Sequence, residues 1–183
     1  WEWRTLQGQP HQVLAAAGAG ADLIVMGQDE RDPDSSLMAS VALTAGRPVL
    51  GVPSSGALPT CGKRILLAWN GTREATRAAH DALPLLQTAE QVILFAATPD
   101  GEHGATTMDA AAHFAAHGCR IDVRRASLDN RDAGAAIMNA AAETGTDLIV
   151  MGAYGHSRLR EWVFGGATRT ILQSMTVPVL MSH

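Results

Sequence analysis

Thr146-Asp-Leu-Ile-Val-Met-Gly152 repeats, almost letter for letter, the earlier stretch Ala21-Asp-Leu-Ile-Val-Met-Gly27, and each copy follows an alanine-rich segment closed by a glycine, Gly145 or Gly20. Recurrence of a whole unit marks an internal duplication. Downstream, Arg47-Pro-Val-Leu-Gly-Val52 answers Val177-Pro-Val-Leu-Met181, so both copies read helix, strand, loop, helix, strand. The second copy reaches further upstream, through Arg64-Ile-Leu-Leu-Ala-Trp69 and Gln91-Val-Ile-Leu-Phe-Ala-Ala97, for which nothing before Trp1 is a counterpart. Residues 1–56 are therefore expected to be the C-terminal part of a first copy truncated at its front. Residues 63–183 read as a complete copy, and the small, aperiodic segment ending in 57–62 reads as a linker.

In the complete copy, short and nearly continuous apolar runs at Ile65–Trp69, Val92–Ala97, Ile121–Arg125, Leu148–Met151 and Val177–Met181 suit strands buried on both faces. Between them, Ala75, Ala78, Ala82 and Leu86, or Ala133, Ile137, Ala140 and Ala141, recur at helical spacing, with Gly118 and Gly145 as stops. Pro84 should end or kink the first helix. Strict alternation predicts right-handed βαβ units, an α/β fold with a doubly wound parallel sheet and helices on both faces.

Composition excludes several functions. The 183 residues carry a net charge of −4 and no dense Lys or Arg run, so there is no electrostatic footprint for nucleic acid. No apolar stretch approaches the roughly 20 residues that span a bilayer. Cys61 and Cys119 make neither a metal knuckle nor a redox pair nor a disulfide framework, which suits a reducing cytoplasm.

The fourth strand of the complete copy runs into Gly152-Ala-Tyr-Gly155, and Gly165-Gly-Ala-Thr168 later opens a helix. Two glycine clusters thus fall at the carboxyl edge of a parallel sheet, where such sheets bind ligands. Glycines let backbone N–H groups approach an anion, and a helix N-terminus favours phosphate. Thr168 adds a hydroxyl. Gly152 and Gly155 also suit a tight turn that binds nothing.

Gly152-x-x-Gly155, nine residues, then Gly165 at a helix start resembles the nucleotide-binding signature of the universal stress protein family, and the likeness extends over 63–183 and, degraded, over 1–56. That resemblance implies a five-stranded parallel sheet in the order 3-2-1-4-5 with ATP, with or without Mg, at the signature. Carried over, it puts the adenine end near Ala68, Asn70 and Ala97. Met151, Gly152, Tyr154 and Gly155 would line the ribose and phosphate side, and Gly165, Gly166, Ala167 and Thr168 would hold the phosphates. His156 follows the second glycine and is a further candidate. Two departures predict weaker binding: Gly166 stands where ATP-binding members carry Ser or Thr, and Asn70 where they usually carry an acid. Losing one or two hydrogen bonds costs roughly 5- to 30-fold in affinity. The resemblance also implies that the last strand, Val177–Met181, pairs antiparallel with its equivalent, here Pro48–Val52, or with a second chain in a dimer.

The first copy reads Gln28-Asp-Glu-Arg-Asp-Pro-Asp34 after Gly27, and its carboxylates should repel a nucleotide. A solvated acidic loop explains them better than a cation site. His113 and His117, one turn apart near Cys119, have metal-binding spacing, but a solvated helix face is the simpler reading and no metal is expected. Arg158, Arg160 and Arg169 read as surface residues that can add positive charge near the phosphates, and Trp162-Val-Phe164 as packing over the sheet. No P-loop and no nucleophile elbow is present, so no enzyme beyond incidental ATP hydrolysis is expected. Two roles follow: a stress-response regulatory module binding adenine nucleotide, or a nucleotide-free dimerisation and interaction module.

Overall fold

A computed structural model describes residues 1–29, 31–32, 36–98, 104–128, 132–154 and 166–183. In chain order the elements are α1 (Pro10–Gly18), β1 (Ile24–Gly27), α2 (Ser36–Thr44), β2 (Val49–Val52), β3 (Arg64–Ala68), α3 (Arg73–Asp81) and α4 (Leu83–Thr88). There follow β4 (Gln91–Thr98), α5 (Gly104–Ala116), β5 (Ile121–Ser127), α6 (Ala133–Thr144), β6 (Leu148–Gly152), α7 (Gly166–Ser174) and β7 (Val179–Ser182). Local chemistry sets the ends. Thr72 caps α3 by accepting from Ala75 N, and Asp132 caps α6 by accepting from Ala135 N. Gly145 closes α6 at φ +61°, a conformation that favours glycine. Pro84 lies in the first turn of α4, so α3 stops and a new helix starts.

The strands form one sheet in the order β1-β2-β7-β6-β3-β4-β5. All neighbours are parallel except β2 and β7, which run antiparallel with Leu50 opposite Leu180. Counted within 63–183, the strands stand in the order 3-2-1-4-5. β2 joins β7 and brings β1 with it, so the five strands of 63–183 continue into a sheet of seven. One correction concerns Ile121–Arg125, expected to be buried on both faces: Asp122, Arg124 and Arg125 of β5 are exposed, at the sheet edge that the order 3-2-1-4-5 gives the third strand. Charged edge residues discourage pairing with another sheet.

The sheet separates two cores. One includes Ile137, Ala140, Ile171 and Leu172 of α6 and α7 together with Met38 and Val41 of α2. The other includes Ala75, Ala78 and Ala79 of α3 and Phe114 of α5. The helices therefore change face between β3 and β6, which makes that junction the switch point of the sheet.

At the opposite rim, Asp147 ties the chain into this arrangement. Its carboxylate accepts from Gly62 N (3.0 Å), Lys63 N (3.1 Å) and Arg64 N (2.9 Å), just before β3. Burial works to raise its pKa, but the Thr60 hydroxyl and the three backbone donors outweigh that and hold it below its ordinary value. The equivalent Asp22 is exposed and has no such donors among the described residues. Asp147→Ala should lose about 1 to 3 kcal/mol of stability in urea unfolding, while Asp22→Ala stays within about 0.5 kcal/mol. Because the pKa of Asp147 is depressed, its contribution is full above the ordinary carboxylate range. It is lost as pH falls through the lowered value, so the gap between Asp147→Ala and wild type should close in acid.

Candidate functional site

The carboxyl rim at the β3/β6 junction is built from four segments. At the tip of β3, Gly71 turns the chain at φ +71°, and Asn70 Oδ1 accepts from Thr72 N (3.2 Å) and from the Thr72 hydroxyl (2.9 Å). Thr72 then caps α3, so Asn70 orders the first turn of that helix. At the tip of β6, Ala153 is fully buried and its N–H donates to Ser182 O (2.8 Å). Tyr154 follows in the left-handed region at φ +57°, a conformation costly for a side chain this size. Its phenol is half-buried, and burial pushes its pKa up.

Tyr154 N donates to Thr168 Oγ1 (3.3 Å), which joins the end of β6 to the first turn of α7. Thr168 is only 3% exposed, so its hydroxyl works inside the rim. The N-termini of α6 and α7 lie side by side. A Cβ on Gly134 would meet Ala167 O at 2.8 Å, and one on Gly166 would sit 3.8 Å from Asp132 Oδ1. Two positive helix ends converge here, with the Asp132 carboxylate between them.

Of the residues expected at the site, Ala68, Ala97, Met151 and Tyr154 pack on the α6/α7 face of the sheet, where Ala126 of β5 joins them. The alanines at 68, 97 and 126 keep the side chains short at the tips of β3, β4 and β5. Asn70, Gly166 and Ala167 lie at the same rim. Gly155, His156 and Gly165 lie outside the described residues, as do Arg158, Arg160 and Trp162-Val-Phe164. Gly152 has a packing role: a Cβ there would meet Ala75 N at 2.5 Å and Glu74 C at 2.6 Å, so only glycine lets α3 approach β6. Asp132 was not anticipated as a site residue, and its one sequence signal is that an Asp precedes the helix-forming run. Trp69, the residue after β3, turns to the other face against Phe114 at a ring separation of 6.3 Å. Its buried indole N–H finds no partner among the described residues, for which we have no physical account.

The first copy differs at its rim. Gln28 bridges outward, donating to Leu172 O (2.9 Å) and accepting from Ser54 N (3.3 Å). Asp29 takes the backbone N–H and guanidinium of Arg31, and Asp32 caps α2 through Leu37 N and the Ser36 hydroxyl. These bonds hold both carboxylates below their ordinary pKa, led in Asp29 by Arg31 N and in Asp32 by Leu37 N. Glu30 and Asp34 lie outside the described residues. Among the described residues, no three His, Cys, Asp or Glu side chains are grouped to hold a metal ion, and no helix is long and apolar enough to cross a membrane.

Comparison with known proteins fits this architecture. A family model described as the universal stress protein family matches residues 62–183. A curated relative, universal stress protein Slr1230 of Synechocystis, is 42% identical over 45 residues, covering 25% of this chain and 16% of the relative. A crystal structure of a universal stress protein from Archaeoglobus fulgidus superposes at TM-score 0.78 and 19% identity, over 96% of this chain and 65% of that one. A universal stress protein solved in complex with cAMP superposes at TM-score 0.56 and 20% identity, over 68% of this chain and 98% of that one. The chain thus spans less than two thirds of the length of the first two proteins.

The duplicated glycines give a paired test of the packing. Gly152→Ala should destabilise by about 1 to 3 kcal/mol, because α3 must retreat. Gly27→Ala, whose Cβ would find nothing within 4 Å, should be neutral in the same thermal or urea melts.

Proposed function

This chain belongs to the universal stress protein family, and on that premise we propose that residues 63–183 form a stress-response module binding an adenine nucleotide, ATP, at the β3/β6 rim. The observation that carries the reading is the Tyr154 N–H to Thr168 Oγ1 bond, which brings the strand end and the start of α7 to one place. Phosphates would lie at the paired helix ends of α6 and α7, with Gly155, His156 and Gly165 completing their surroundings. The base would lie over Ala68 and Ala97, near Asn70. The solved relative holding cAMP supports a nucleotide as the ligand class. A Mg ion would enter with the nucleotide. The module is proposed to sense ATP, hydrolysing it at most incidentally: the Thr72 hydroxyl is bound to Asn70, the Thr168 hydroxyl accepts from Tyr154 N and Asp132 caps α6. A reducing cytoplasm suits its free cysteines, Cys61 and Cys119.

We further propose that residues 1–56 are the C-terminal part of a first domain of the same kind, held to the second within one chain through β2 and β7. Three matched positions support this. Asp22 lacks the donors that Asp147 has, Val25 is 62% exposed where Val150 is fully buried, and Gly27 faces open space where Gly152 meets α3. Each lacks the same neighbour, a strand and helix of the β3–α3 kind.

A second reading, a nucleotide-free interaction module, is favoured by the Asp132 carboxylate beside Gly166, which opposes a phosphate there. Calorimetry separates the two. ATP should bind the wild type and release heat, and Gly155→Glu should abolish it. Asp132→Asn retains a helix cap but removes the charge, so it should tighten ATP by about fivefold, equivalent to about 1 kcal/mol. Silence from wild type and from Asp132→Asn would leave only the second reading.

A further inference from the structure

Outside the rim, α3 and α5 bring His80 beside His113, 33 residues away in sequence, with His117 one helical turn further on. His80 Nε2 and His113 Nε2 are 3.3 Å apart, and the His113 and His117 rings lie 4.5 Å apart, one helical turn from each other. His80 Nδ1 is 2.8 Å from Thr76 O, and His117 Nδ1 is 2.9 Å from His113 O. A carbonyl only accepts, so in both rings Nδ1 carries the proton and the lone pair is on Nε2. Phe114 packs against His80 and His113 at 5.6 Å and 5.1 Å, which holds both rings in place from below. All three histidines are exposed at the surface.

We propose that His80 and His113 form a two-histidine clamp for a divalent transition-metal ion of the zinc class. Two Zn–N bonds of about 2.05 Å at the tetrahedral angle set their nitrogens about 3.3 Å apart. The 3.3 Å between the two Nε2 atoms therefore suits the ion. In the metal-free protein one Nε2–H donates to the other Nε2. Binding needs that proton shifted to Nδ1 of His113 or released, since only lone pairs can ligate. The Thr76 carbonyl acts as the outer partner that orients His80, a role commonly filled behind metal-bound histidines. Imidazole nitrogens favour zinc, nickel or copper over magnesium or calcium. With two protein ligands, water fills the remaining positions, so binding is micromolar and exchangeable. The ion would tie α3 to α5, and α3 carries Thr72 at the rim.

The test is calorimetric titration of the whole chain with zinc sulfate, run beside His80→Gln, His113→Gln and a remote control, His11→Gln on α1. We expect one ion per wild-type chain, about tenfold weaker binding in each of the first two variants, and no change in the control. Melting curves without metal should coincide for all four proteins, since the substituted rings are exposed. No heat from the wild type up to millimolar zinc overturns the clamp. So does micromolar binding that survives both His80→Gln and His113→Gln.

Discussion

Two copies of one strand sequence, Pro48-Val-Leu50 and Pro178-Val-Leu180, lie antiparallel in mid-sheet, with Leu50 facing Leu180. Because equivalent residues face each other, the pairing relates β1–β2 to β6–β7 by a local two-fold through that pair. An unpaired β7 would be a sticky edge; here it is interior. The match is imperfect where packing demands it. Gly51 stands where the other copy has Met181, and the space takes Met38 of α2 and Met175 just after α7, whose atoms lie 2.7 Å and 3.6 Å from where a Cβ would be. Helices from both copies thus share one core on one face of the sheet.

That shared face carries the candidate site. β6 is flanked by β3 and β7, and its tip meets the starts of α3 and α7 at the switch point. The arrangement balances opposing demands. Gly152 is used by α3, so backbone N–H groups for a ligand must come from later in the turn and from the start of α7. Tyr154 in the left-handed region marks where the chain is bent to make that connection. The Asp132 carboxylate caps α6 at the place where the two helix dipoles add, and so sets a negative charge against them.

Much of the fold was legible because it rests on periodicity. The duplicated strand, the alternation of runs and spacers and the break at Pro84 are all local signals. What was not legible is what needs neighbours. The Ile121–Arg125 run reads like the others, but nothing local says that β5 has a partner on one side only. Gly152 stands in a glycine motif, and the packing role added by Ala75 and Glu74, distant in sequence, has no local signal. Asp132 is a helix cap by its local pattern and becomes a rim charge only when α7 is laid beside α6. The histidines show the same limit: helical spacing picks out His113 and His117, while the closest nitrogen belongs to His80, 33 residues away.

The most direct measurement is an amide-resolved NMR titration of the full chain with ATP. If nucleotide binds where the two helix ends and the strand tip meet, the largest shifts will fall on Asn70, Tyr154 and the amides of 166–168. Gly27 to Asp29 in the first copy should stay still. Shifts that centre on the first copy, or on the charged edge at β5, would contradict the account.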